Sequence, residues 1–99
     1  MYRLVRSVRI QPGKQAEALQ VAKEIAEHLV RRYDVELRVF VEVFGDVGTL
    51  YWMGDFADLA TLERLTEQTN QDQEYLAILK RGNELNVGGT LHDWLLRHA

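Results

Sequence analysis

The stretch VELRVFVEVF, residues 35–44, decides the fold of this chain because its side chains alternate along its whole length. Valine or leucine occupies every odd position, and the even positions carry charged or aromatic side chains: Glu36, Arg38, Phe40, Glu42 and Phe44. Alternation with a period of two is typical of a β-strand with two unlike faces. The pattern predicts a strand that buries its valine face and presents Phe40 and Phe44 on the other.

The segment GDVG, residues 45–48, predicts a hairpin loop into a further strand over residues 49–56. We favour a four-residue loop because it places Arg38 opposite Asp55, a favourable charge pair. A five-residue loop would move Trp52 to the Glu42 side, and a bulge at Gly54 is a further alternative. The favoured register pairs Val43 with Leu50, Glu42 with Tyr51, Val41 with Trp52, Phe40 with Met53 and Arg38 with Asp55.

Helical periodicity occurs on both sides of this hairpin. Residues 14–33 place apolar side chains at three- and four-residue steps, which predicts an amphipathic helix with His28 on its solvated surface. A second helical pattern covers residues 59–85, with Asp58 as N-cap. A continuous helix there would be about 40 Å long, too long for so small a domain. We therefore expect a break within residues 66–74, with Asp72 as a second cap. The side chains expected between sheet and helices are Leu19, Ile25, Val39, Val41 and Leu62.

The two ends of the chain supply the remaining elements. Residues 2–10 predict a strand that stops at the turn signal Gln11-Pro12-Gly13. Residues 90–98 fit either a strand, with His92 and Trp94 on one face, or a short helix that begins with a capping box. With a strand, the order is β-α-β-β-α-β: a ferredoxin-like α+β fold with a four-stranded antiparallel sheet and two helices on one face.

The sheet face without helices predicts self-association. It would carry Phe40, Phe44, Tyr51 and Met53, a surface too apolar to leave in water. Packing against a second copy around a two-fold axis would cover it. We therefore expect a homodimer.

Length and composition restrict the function classes. The 99 residues form one domain, residues 1–99, and a net charge of −3 argues against a nucleic-acid partner. The absence of cysteine excludes a disulfide scaffold, a thiolate zinc site and a cysteine nucleophile. No apolar run is long enough for a membrane span, and the arginine-rich start resembles no signal peptide, so we expect a cytoplasmic protein with no membrane partner. No metal-ligand spacing or phosphate-binding glycine loop occurs, so we predict neither a metal nor a cofactor.

The chain resembles the dimeric α+β barrel superfamily, and within it the NIPSNAP-like branch, which is related to antibiotic-biosynthesis monooxygenase-like proteins. The resemblance covers nearly the whole chain. It is carried by the segments Gln11-Pro12-Gly13-Lys14, YWMGDFADL (residues 51–59), Asn83-Glu84-Leu85 and GTLHD (residues 89–93).

This resemblance implies that the closing segment is a strand and that a homodimer has a cleft between sheet and helices or within the barrel. It implies no particular reaction, because such folds host enzymes and non-enzymes alike. The haem-degrading members use a histidine on the second helix, and residues 59–85 contain none.

His92 and Tyr51 are the candidate catalytic residues. A histidine beside an aromatic ring, here Trp94, can transfer a proton in a pocket. Tyr51 would donate a hydrogen bond. The alternative for His92 is a partly exposed residue at a dimer edge.

A second set of residues is predicted to bind a ligand. Arg38, Glu42 and Asp55, with Tyr51, could hold a small anionic or polar molecule, or could form a salt-bridge network that sets the dimer register. Arg6 lies among core residues and needs a partner, so either it faces the cleft, where it could hold an anion, or its strand is irregular. The remaining candidates are aromatic or apolar: Phe40, Trp52, Met53 and Trp94.

Two functions remain open from the sequence. The first is a homodimeric binding or assembly module that holds a small hydrophobic or mildly anionic molecule in a cleft. The alternative is a cofactor-independent monooxygenase or cyclase that shields a small aromatic substrate with Phe40, Trp52 and Met53 and uses His92 or Tyr51 for proton transfer.

Overall fold

The computed structural model describes all residues, Met1–Ala99. Four strands form one antiparallel sheet in the order β2-β3-β1-β4. This is the ferredoxin-like arrangement, so the predicted fold class is confirmed, including the closing strand. The strands are β1 (Tyr2–Arg9), β2 (Arg38–Val41), β3 (Thr49–Phe56) and β4 (His92–Arg97); the helices are α1 (Gln15–Tyr33), α2 (Leu59–Thr69) and α3 (Gln73–Asn83).

The break in the second helical segment lies where the sequence predicted it. Asp58 caps α2 by accepting a hydrogen bond from the Thr61 backbone N–H at 2.8 Å. Asp72 caps α3 in the same way, through the Tyr75 N–H at 3.1 Å. The break allows α3 to pack beside α1. None of the helices has the length and apolar character needed to cross a membrane.

The core lies between the helices and one face of the sheet. Alternate residues of β1 and β3 face the helices, and of these Val8, Leu50 and Phe56 are buried. Ile25 is also buried, as predicted. Leu19, Val39 and Leu62 are partly buried and pack against the core.

The register of β2 on β3 differs from the prediction by two residues. Val41 lies opposite Leu50, Phe40 opposite Tyr51 and Arg38 opposite Met53, so Arg38 does not face Asp55. The residue opposite Asp55 is Arg3 of β1. Because side chains alternate with a period of two, a shift of two residues keeps each side chain on its predicted face.

The reason for the shift is that β2 ends at Val41. Glu42 follows directly after the strand, and its carboxylate accepts hydrogen bonds from the Asp46 backbone N–H and the Tyr51 hydroxyl. The loop then turns through Gly45 and Gly48, whose φ angles of 93° and 106° favour glycine.

Three expectations about this segment are therefore wrong. Val43 lies in the loop, not under the helices, and Phe44 lies there too, not on the open sheet face; they are 70% and 90% exposed. Val41, expected in the core, is 53% exposed at the end of the strand.

Gly54 forms no bulge; it pairs in regular register with Leu4. A Cβ atom at this position would collide with Cδ2 of Leu37. Glycine here lets the segment before β2 lie directly against β3.

His28 is not a surface residue, contrary to the prediction. Its side chain is 1% exposed, and its Nε2 lies 2.7 Å from Oδ2 of Asp72. The Tyr33 hydroxyl donates to the same oxygen at 2.6 Å. Because α3 packs beside α1, it covers the side of α1 that carries His28.

Candidate functional site

A cavity of about 80 Å³ lies between the sheet and helices α1 and α3. One water molecule needs roughly 10–15 Å³, so this space admits a small organic molecule. Small residues create it: Ala18 and Ala22 face the sheet from successive turns of α1, and Gly82 faces it from α3. The wall is mostly apolar, so a bound molecule would be held chiefly by hydrophobic contact.

Trp52 is the larger of the two aromatic side chains in the cavity wall, the other being Tyr75. It lies on the helix-covered face of β3, and its indole N–H donates to the Ala22 carbonyl oxygen at 3.4 Å. The register decides that Trp52 faces the cavity while its neighbour Tyr51 faces the opposite side of the sheet.

Arg6 provides the charged edge of the cavity. Its partner is Asp93, directly opposite on β4, which accepts from Nε at 2.7 Å and from Nη2 at 2.8 Å. The two side chains are 39% and 41% exposed. The hydrogen bonds raise the pKa of Arg6 and lower the pKa of Asp93, so both stay charged at neutral pH.

Arg6 thus faces the cleft on a regular strand, which was one of the two predicted alternatives. That Asp93 is its partner was not predicted from the sequence. Alternation along β4 places Asp93 on the sheet face opposite to His92, which is the face of Arg6. The sequence pattern identifies the pair only if β4 is known to lie next to β1.

Tyr75, which sequence reasoning did not select, lines the cavity from the first turn of α3. Burial is the main cause that raises its pKa, and nearby Arg6 opposes the rise. The phenol therefore stays protonated at neutral pH. Asp72 caps the backbone N–H of Tyr75, and the His28 ring packs on the Tyr75 ring at a centroid distance of 5.8 Å. These contacts position the Tyr75 ring at the cavity wall, where its hydroxyl can donate a hydrogen bond.

The other predicted site residues lie on the opposite sheet face, which we call the open face. His92 and Trp94 contact each other there, with ring centroids 4.1 Å apart. Both side chains are exposed in the single chain. The apolar residues of the open face are Val5, Phe40, Met53, Trp94 and Leu96.

The polar residues predicted to hold a ligand together are mostly paired elsewhere. Tyr51 donates to Glu42, which raises the pKa of Tyr51, and this is the one hydrogen bond within the set. Asp55 accepts two hydrogen bonds from Arg3, and Arg38 donates to Glu36. The structure therefore divides the predicted residues in two: Arg6 and Trp52 line the cavity, whereas the others lie at the open face.

Comparison with known proteins shows the fold. No family model and no curated protein matches this chain. Among solved structures, an uncharacterized NIPSNAP domain protein from Burkholderia xenovorans superposes with a TM-score of 0.85 at 19% identity, over 100% of this chain and 95% of that one. A NIPSNAP family protein from Agrobacterium tumefaciens gives a TM-score of 0.80 at 21% identity, over 99% and 92%.

An antibiotic biosynthesis monooxygenase has the same fold, with a TM-score of 0.76 at 15% identity over 100% of this chain and 99% of that one. The resemblance stated from the sequence is thus confirmed at the level of the fold. The chain therefore shares its fold with NIPSNAP and monooxygenase-like proteins.

Proposed function

We propose that this protein is a homodimeric binding module that holds a small, largely hydrophobic molecule in the cavity between its sheet and helices. The observation that carries the proposal is the cavity itself, an apolar space next to two fixed donors, Arg6 and Tyr75. Apolar walls with few oriented polar groups are typical of small-molecule sites.

The composition of the cavity wall supports binding rather than catalysis. Proton abstraction requires a base that is unprotonated near neutral pH. The titratable groups at the wall are Arg6 and Tyr75, and both have raised pKa values, so both stay protonated. They can hold an acceptor atom but cannot take up a proton.

The alternative function, a cofactor-independent monooxygenase or cyclase, would need a different location for its substrate. His92 and Tyr51 lie across the sheet from the cavity. A substrate that uses them would have to bind between two sheets of a dimer. The observation that favours this alternative is the fold shared with an antibiotic biosynthesis monooxygenase.

The open face supports the homodimer. Phe40, Trp94 and Leu96 are 44%, 41% and 51% exposed there, beside Val5 and Met53. They form a continuous apolar surface across all four strands, which a second copy would remove from water. The cross-strand ion pair Arg3–Asp55 lies at the same face and adds a polar group that can set the register of the two sheets.

Native mass spectrometry of the purified protein tests the binding proposal. We expect a homodimer that carries a retained small molecule, or that takes up small apolar molecules when they are supplied. Leu91→Phe, at the exposed side of the cavity, should reduce this binding because the larger ring fills the space. Leu76→Phe is the control, because Leu76 is an exposed residue of α3 outside the cavity wall. Equal binding by both variants would exclude the cavity as the site.

A further inference from the structure

We propose that Asp93 is a specificity-determining residue: it makes the cavity accept an uncharged ligand with a hydrogen-bond acceptor, such as an amide or ketone, and reject a carboxylate of the same shape. This inference rests on the proposed binding function and names the ligand class of the same site.

The cavity wall presents no net charge to a ligand. Arg6 is the one charged residue of its wall, and Asp93 neutralises it through two hydrogen bonds. A carboxylate that approached Arg6 would lose its hydration and would also lie beside the carboxylate of Asp93. The pair therefore offers no net positive charge to compensate for the desolvation of an anion.

Two hydrogen-bond donors at the cavity wall have no partner in the chain. Asp93 uses Nε and Nη2 of Arg6 and leaves Nη1 without a partner in the chain. The Tyr75 hydroxyl likewise has no partner in the chain, because Tyr75 bonds to Asp72 only through its backbone N–H. Both side chains line the same cavity, so both can donate to a bound molecule. A neutral carbonyl oxygen satisfies them at a much lower desolvation cost than an anion.

The two tryptophans allow ligand binding in the cavity to be measured without labels or substitutions. Trp52 lines the cavity, whereas Trp94 lies on the open face across the sheet. Binding in the cavity should move the NMR signal of the Trp52 indole N–H and leave that of Trp94 in place. The probes are isobutyramide and isobutyrate, which have nearly the same shape and differ in charge at neutral pH.

In the wild-type protein we expect isobutyramide to bind at least about tenfold more tightly than isobutyrate, the scale of one charge-assisted hydrogen bond. In Asp93→Asn the preference should shrink or reverse, because Arg6 then presents an uncompensated charge. Asp46→Asn is the control: it makes the same charge change at the exposed Arg9–Asp46 pair of the β2–β3 loop and should leave the preference unchanged.

A double variant, Arg6→Gln with Asp93→Asn, guards against instability of the single variant, since it leaves no unpaired charge. It should still bind isobutyramide and should gain no affinity for isobutyrate. Equal binding of the two probes by the wild type, or no gain for isobutyrate in folded Asp93→Asn, would overturn the role of Asp93 and leave the binding function intact. A Trp52 signal that neither probe moves in any variant would instead contradict the proposed function itself, and with it this inference.

Discussion

Nε2 of His28 lies 2.7 Å from Oδ2 of Asp72, although 44 residues separate them in the chain. The same carboxylate accepts from the Tyr33 hydroxyl and, through Oδ1, from the backbone N–H of Tyr75. One buried side chain therefore joins the middle and end of α1 to the start of α3. Since Tyr75 lines the cavity, this network also sets one wall of the candidate site.

Asp72→Ala should destabilise the protein much more than Asp58→Ala. Both substitutions remove the N-cap of an α-helix, but Asp72→Ala also leaves the buried His28 and the Tyr33 hydroxyl without their partner. We expect the loss in the free energy of unfolding to be at least about twice that of Asp58→Ala. Urea denaturation of the two variants measures it, and equal midpoints would show that the network contributes only a cap.

The network also predicts how stability depends on pH. Hydrogen bonds from Tyr33 and His28 hold the pKa of Asp72 far below its usual range. The pKa of an unfolded aspartate is about 3.9, so the stabilisation is fully present above that pH and is lost as the pH falls toward the folded-state pKa. The stability difference between wild type and Asp72→Asn should therefore narrow as the pH falls below about 4. A difference that persisted unchanged into strong acid would contradict this assignment.

Phe40→Asp should dissociate the proposed homodimer. It places a charge on the apolar open face, on the edge strand β2, where a sheet-to-sheet contact would bury it without a partner. Phe44→Asp is the matched control, because Phe44 is 90% exposed in the β2–β3 loop. Sedimentation velocity should show a dimer for wild type and Phe44→Asp, and monomer or unfolded protein for Phe40→Asp. A stable monomer of the wild-type chain would refute the homodimer.

Ile25→Ala and Val41→Ala should differ in their effect on stability. Ile25 is 7% exposed in the core, so truncation should cost about 2–5 kcal/mol through lost burial and a cavity. Val41 is 53% exposed at the end of β2, and its truncation should cost less than about 1 kcal/mol. Denaturant midpoints distinguish the two. A large loss for Val41→Ala would mean that this end of the sheet is covered in solution.

The local patterns of the sequence were sufficient to predict the order of the elements before residue 90 and the two faces of the sheet, whereas residues 90–98 fitted either a strand or a short helix. The alternation in residues 38–41 and the helical steps in residues 14–33 are local patterns, and each one indicates which side chains share a face. The caps Asp58 and Asp72 were readable for the same reason, since a cap acts within three residues of its own position.

The β2–β3 register and the ion pairs that shape the site could not be predicted from local patterns, because they depend on how distant segments pack. The register depends on Glu42, whose carboxylate accepts hydrogen bonds from Asp46 and Tyr51 at the end of β2. The alternation of side chains gives no indication of these contacts. Arg6 and Asp93 are 87 residues apart, and they meet only because β4 pairs with β1. The sequence neighbours of His28 on α1 are polar, so this side of the helix was predicted to face solvent. His28 is buried because α3 packs against that side. Such contacts join distant segments, so each depends on how the whole chain packs rather than on any local pattern.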